Sequence, residues 1–172
     1  GRGMLLEEML DQIHPLSASF DTAAQRHLDS LTKPQGSLGR LEELARRVAV
    51  IQEIIPPLLG AKLIFVFAAD HGITEERVSA YPKAVTAQMT QNFLDGGAAI
   101  NVLARHYQIK TEIIDVGVDH DFIQCRNLRH CKLRRGTANF SRGPALTREQ
   151  ARRSVELGIQ LVKQSVPEAL FL

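Results

Sequence analysis

Apolar residues in the first part of the chain recur at spacings of three and four, the period of a helix with one buried face. Residues 21–31 are polar on one side and carry Ala24, Leu28 and Leu31 on the other. Thr32-Lys33-Pro34-Gln35-Gly36-Ser37 breaks this pattern, because Pro and Gly punctuate helices. Leu38, Leu41, Ala45 and Val48 resume it and, with Leu44, Ile51 and Ile55, form an apolar stripe that Pro56-Pro57 and Gly60 stop. These positions predict an N-terminal helical segment over residues 4–60.

The pattern then changes. Leu63-Ile64-Phe65-Val66-Phe67-Ala68-Ala69 is a continuous apolar run bounded by turn signals, as expected of a strand buried on both faces. Residues 112–118 predict a second strand. Between them lie two helical patterns. One spans residues 82–94, with Val85, Met89 and Phe93 on one face and Pro82 in its first turn, where a missing N–H is harmless. The other spans residues 98–107, after Gly96-Gly97. Strand, helices, strand predicts a right-handed crossover within a parallel sheet, with Asp70 and Asp119 at one edge. Residues 133–140 fit neither period. Thr147 and Gln150 form a capping box ahead of a helix with Ala151, Val155, Ile159 and Val162 at helical spacing. Val166 and Ala169-Leu170-Phe171-Leu172 resemble the opening of another strand, so the chain reads as truncated. Residues 61–172 are therefore expected to be the first part of a parallel α/β domain, incomplete at its C-terminus. Gly1-Arg2-Gly3 before Met4 has the look of a vector remnant.

Composition narrows the class without naming a function. The 172 residues are 44% hydrophobic and 23% charged, with a net charge of +2. That balance is ordinary for a globular protein and gives no footprint of nucleic-acid binding. No apolar run approaches the length of a membrane span. Cys125 and Cys131 are read as reduced cytoplasmic thiols rather than a disulfide framework.

Ligands of parallel sheets bind at the carboxyl ends of the strands. Asp70-His71-Gly72 follows the first strand directly, and Ser79, Tyr81 and Gln88 follow on the loop and the next helix. An aromatic face with small directional polar groups suits a flat heteroaromatic ligand. The same residues also read as a turn residue, a partly buried Tyr and a surface Gln. Asp70 and His71, completed by Asp119 and His120, are candidates for a metal or acid/base site, although Asp70 orienting the next turn is the simpler reading. Seven basic residues (Arg126, Arg129, Lys132, Arg134, Arg135, Arg142 and Arg148) fall in a stretch without an acidic one, which suggests either a solvated loop or an anion site. Gly36 and Gly39 within residues 33–40 hint at a phosphate loop, yet the Walker spacing is not met.

Several blocks in order carry a resemblance. They are residues 28–42 around Lys33-Pro34-Gln35-Gly36-Ser37-Leu38-Gly39, Ala69-Asp70-His71-Gly72, Val78-Ser79-Ala80-Tyr81-Pro82 through Gln88-Met89, and Asn92 to Asn101. Asp115-Val116-Gly117-Val118, Gly136-Thr137-Ala138-Asn139-Phe140 and Gly143 to Thr147 continue the series. Together, over roughly residues 28–158, they resemble the N-terminal half of the nicotinate-nucleotide:dimethylbenzimidazole phosphoribosyltransferases. The resemblance implies a Rossmann-like parallel sheet flanked by helices, with the N-terminal helices in a smaller helical domain. It implies a cytoplasmic homodimer without cofactor or metal. The implied reaction transfers phosphoribose from nicotinate mononucleotide to 5,6-dimethylbenzimidazole, giving α-ribazole 5′-phosphate for the lower ligand of cobalamin. Ser79, Tyr81 and Gln88 match the family's base-binding residues. The family's catalytic Glu and glycine-rich phosphate-binding segments correspond to positions beyond residue 172, so no catalytic residue is assigned here and the chain alone is expected to be inactive. Residues 122–133 align with nothing in the family. Two other classes stay open: a non-catalytic domain binding a nucleotide or heteroaromatic base, and a metal-dependent hydrolase using Asp70, His71, Asp119 and His120.

Overall fold

The computed structural model describes residues 5–123 and 125–165. The chain divides after Gly60 into two compact units.

The N-terminal unit contains α1 (Leu5–Asp11), α2 (Ala18–Ser30) and α3 (Arg40–Gln52). Ser17 caps α2 by accepting the Phe20 N–H at 3.3 Å. The α2–α3 contact is built on small side chains. Ala24, Ala49 and Val50 are buried, and Phe20 and Ile55 pack against them. This corrects the expected stripe. Leu38, Leu41, Leu44 and Ile51 are exposed, and Ile55 lies beyond the helix, which ends where Glu53 turns left-handed. The buried side of α3 instead carries Glu42, Ala49 and Val50. Glu42 is buried because it is paired: its Oε1 lies 2.8 Å from Lys33 Nζ and accepts the Leu38 N–H at 3.0 Å. The glycine-containing loop of residues 33–40, whose spacing does not meet the Walker pattern, is thus tied to the Glu42 carboxylate.

The second unit contains β1 (Leu63–Ala69), a short 3-10 turn (Gly72–Glu76), α4 (Ala84–Leu94), α5 (Ala99–His106), β2 (Lys110–Gly117), β3 (Leu128–His130) and α6 (Arg148–Ser165). The three strands lie in the order β1-β2-β3, all parallel. The expected β1–crossover–β2 unit is present. Val66, Ala87, Phe93 and Leu94 pack on a core of Ala68, Ile113, Val118, Phe122 and Leu128. Of the three described strands only β2, flanked on both sides, buries consecutive residues, Ile113, Ile114 and Asp115. β1 pairs on one side, and Phe67 is 50% exposed, so the expectation of burial on both faces fails there. Pro82 precedes α4 rather than joining it, and its carbonyl accepts the Val85 N–H at 3.0 Å. The capping box of α6 forms as expected, Thr147 and Gln150 exchanging bonds of 3.0 and 3.1 Å. The buried side of that helix is Leu161 and Ser165, while Val155 is exposed. The strand expected near residues 166–172 lies outside the described residues.

Residues 131–137, which include the start of the 133–140 stretch that fitted neither period, form a strap across the carboxyl ends of the strands. The N–H groups of Cys131, Leu133 and Gly136 donate to the carbonyls of Asp115, Val116 and Gly117, and Thr137 N–H donates to Asp70. Its anchor is ionic. Asp115 is 1% exposed. Its Oδ1 accepts the N–H groups of Gly117 and Val118 at 3.1 and 2.9 Å, and its Oδ2 lies 2.7 Å from Lys132 Nζ. Lys132 also donates to the carbonyls of Val118 and His120. A carboxylate so buried is tolerable only while paired. Lys132→Met should therefore destabilise the protein by about 3–5 kcal/mol, the range for leaving one buried charge alone. Urea unfolding checks this, and a loss no larger than that of a surface substitution would contradict the anchor.

Candidate functional site

The site grows from the end of β1. Asp70 is 4% exposed. Its carboxylate accepts the Asp119 N–H at 2.7 Å, and its own N–H donates to Gly117, so the ends of β1 and β2 are joined twice. The turn that follows runs against the strap. A Cβ on Gly72 would lie 2.6 Å from the backbone of both Ala138 and Asn139, so only glycine fits this approach. Gly72 N–H donates to Thr137 Oγ1 at 3.2 Å. Gly136, at φ 67°, keeps the strap close to Asp70.

Beyond the turn, Glu76 gathers the end of the strap. Its Oε1 accepts from Asn139 Nδ2 at 2.7 Å, Arg142 at 3.0 Å and Ser141 Oγ at 3.3 Å. The bonds from Asn139 and Arg142 hold its carboxyl below the usual carboxylate range. The chain then turns through Arg77, at φ 56°, into the loop that carries Ser79 and Tyr81.

Of the three residues expected to bind a base, Ser79 and Tyr81 share one turn, and Gln88 lies on α4. Ser79 Oγ accepts the Tyr81 N–H at 3.2 Å, so the turn fixes both. Tyr81 is 71% exposed, and Ser79 and Gln88 are also exposed. The ring is thus an open platform. An apolar notch lined by Ala24, Leu28, Ala45, Ala49 and Ile55 belongs to the N-terminal unit, and its volume of about 20 Å³ holds a water, not a ring.

The other candidates resolve differently. Asp119 carries Lys83 Nζ at 2.6 Å and Arg135 Nη1 at 3.6 Å, and Lys83 is the first cause of its lowered pKa. His120 meets Phe122 edge-on, ring centroids 4.8 Å apart. Among the described residues no group of three His, Cys, Asp or Glu side chains could hold a metal. The basic stretch is largely consumed by carboxylates: Arg129 by Glu112, Lys132 by Asp115, Arg135 by Asp119 and Asp121, and Arg142 by Glu75 and Glu76. These four cations pair with carboxylates that lie on other segments of the chain. Sequence reasoning passed over Lys83 and Glu76. Lys83 carried a legible signal: it is a cation at the N-terminus of a helix with no acidic residue in its first turn, where the helix dipole disfavours positive charge.

Comparison with known proteins agrees with this architecture. The sequence pattern of a family described as phosphoribosyltransferase matches residues 13–171. The chain belongs to that family. A nicotinate-nucleotide–dimethylbenzimidazole phosphoribosyltransferase of Geobacter sulfurreducens is 51% identical over 168 residues, covering 98% of this chain and 48% of the relative. The corresponding protein of Chlorobaculum tepidum is 44% identical, covering 90% and 44%. Two crystal structures of this transferase (CobT) from Thermus thermophilus superpose with TM-scores of 0.81 and 0.82 at 43% and 42% identity. They cover 87% and 89% of this chain, and 45% and 46% of those chains. The chain spans about half the length of the curated relatives it matches. The α/β fold with a parallel sheet expected from the sequence is therefore that of the family.

The bonds from Asn139, Ser141 and Arg142 to Glu76 can be tested through its charge. A carboxyl whose folded pKa is depressed contributes stability above its unfolded value, and that contribution is lost as pH falls through the folded value. Glu76→Gln should lower the thermal midpoint at about pH 7, and the gap from the unaltered protein should narrow and close as pH falls through the lowered folded value of Glu76, where its carboxyl becomes as neutral as the glutamine. A gap independent of pH would mean that the charge on Glu76 contributes nothing.

Proposed function

We propose that this chain supplies the base-binding half of an enzyme that transfers phosphoribose from nicotinate mononucleotide to 5,6-dimethylbenzimidazole, releasing nicotinate and giving α-ribazole 5′-phosphate for the cobalamin lower ligand. The observation that carries the reading is the exposed turn joining Ser79 to Tyr81 beyond the carboxyl end of β1, in a chain whose relatives bear the name of this transferase. The Tyr81 ring lies against the flat face of the base. The Ser79 oxygen already accepts the Tyr81 N–H, which leaves its own proton to donate. Gln88, with an amide donor and acceptor, orients the polar edge. The benzimidazole nitrogen lone pair attacks C1′ from the face opposite nicotinate, the C1′–nicotinate bond breaks, and configuration inverts from β to α. A carboxylate near the other ring nitrogen takes the proton. No residue of this chain is assigned that role; we place it, with the glycine-rich phosphate-binding segments, at family positions beyond those represented here.

On this reading residues 4–60 belong to a smaller helical domain, residues 61–172 begin the parallel domain, and the enzyme works as a cytoplasmic homodimer. The described residues contain no helix long and apolar enough to cross a membrane. Steady-state kinetics on the protein at the length its gene encodes test the pocket. Tyr81→Ala removes an aromatic contact worth about 1–3 kcal/mol, so it should raise the KM for dimethylbenzimidazole roughly ten- to a hundredfold and leave the KM for nicotinate mononucleotide nearly unchanged. Damage confined to the nucleotide KM would overturn the assignment. Base binding without any transfer would point to a non-catalytic binding domain.

A further inference from the structure

Lys83 stands where a lysine is unfavourable. It caps α4, its side chain makes no cap hydrogen bond, and the first turn of the helix has no acidic residue. A cation there opposes the helix dipole. The side chain instead leaves the helix axis and reaches Asp119, past the end of β2, with Nζ 2.6 Å from Oδ2. Asp119 is held from two further directions. Its N–H donates to the buried Asp70, and its other oxygen faces Arg135 of the strap at 3.6 Å. Asp70 and Glu75 add to the negative field around Lys83. Lys83 lies two positions after Tyr81, with Pro82 fixing the backbone between them.

We propose that Lys83 is a positioning residue: its ion pair with Asp119 is a latch that ties the Ser79–Tyr81 turn to the ends of β1 and β2 and so sets the angle at which Tyr81 meets the base. This deepens the base-binding reading of the same turn and rests on it. Ser79, Tyr81 and Pro82 are all exposed, so the turn has little packing of its own and depends on its ties. Downstream the loop is tied through Lys83 to Asp119, and upstream it is tied through Glu76 to Asn139 and Arg142. Between these points the Ser79–Tyr81 hydrogen bond orders the loop, with the Arg77 N–H donating to Thr74 at one end and the Pro82 carbonyl accepting the Val85 N–H at the other. Without the downstream tie, the turn pivots about Arg77.

Two measurements on the protein at the length its gene encodes test the latch, using Lys83→Met, Lys83→Arg and the exchanged pair Lys83→Asp/Asp119→Lys. Amide hydrogen exchange reads the turn directly. The Tyr81 amide should exchange faster in Lys83→Met and return toward the original rate in Lys83→Arg, while the core amides of β2 stay unchanged. Kinetics read the consequence. Lys83→Met should raise the KM for dimethylbenzimidazole about two- to fivefold, the range of a half-exposed ion pair. It should leave the KM for nicotinate mononucleotide unchanged, and Lys83→Arg should recover most of the loss. Recovery in the exchanged pair supports the latch further. Unchanged exchange at Tyr81 in Lys83→Met overturns it, whatever the activity. Equal rises in both KM values overturn it too, since they mark general damage. Faster exchange in a protein that transfers no phosphoribose sustains the latch and sinks the proposed reaction instead.

Discussion

The Asp115 carboxylate, buried at the end of the central strand, sets the arrangement of everything around the candidate site. A charge in that position must be neutralised locally, and the partner comes from a segment with no regular secondary structure of its own. Lys132 satisfies Asp115 and, in doing so, lays residues 131–137 across the carboxyl ends of β2 and β1. Once the strap is placed, Gly72 and Gly136 let the backbones of the β1 turn and the strap approach to contact distance. Arg135 and Arg142 then meet the acidic groups already fixed at that rim. The site loop hangs between two of these fixed points.

Much of the frame could be read from the sequence, because it depends on local patterns. The 63–69 run pointed to a strand, the Thr147–Gln150 box caps α6, and the pair of strands flanking two helices pointed to a parallel crossover. Errors arose where burial was decided by shape rather than by hydrophobicity. α2 and α3 meet through Ala24, Ala49 and Val50, because small side chains let helices approach closely, and the larger Leu41, Leu44 and Ile51 stay outside. The strap was illegible for a different reason. Its hydrogen bonds and ion pairs run to residues far away in sequence, and no window of neighbouring positions contains both partners. Arg129, Lys132 and Arg135 stood in the sequence without acidic neighbours, because the carboxylates they pair with lie on other segments.

The candidate site shows the same division. The sequence indicated Ser79, Tyr81 and Gln88 by position after a strand and by resemblance, and the structure places the first two in one hydrogen-bonded turn. What holds that turn, Glu76 upstream and Lys83 downstream, could not be inferred from the loop alone. The Tyr81 ring is exposed, and the Ser79 hydroxyl beside it fixes its backbone.

Titration of the isotope-labelled protein, at the length its gene encodes, with 5,6-dimethylbenzimidazole while recording its amide and aromatic resonances tests the base-binding claim most directly. The account predicts saturable shifts centred on the Tyr81 ring and on the amides of Ser79 and Gln88, with the N-terminal unit unmoved. Shifts that avoid residues 78–89, or that gather around Ala24, Ala45 and Ala49 instead, would contradict it.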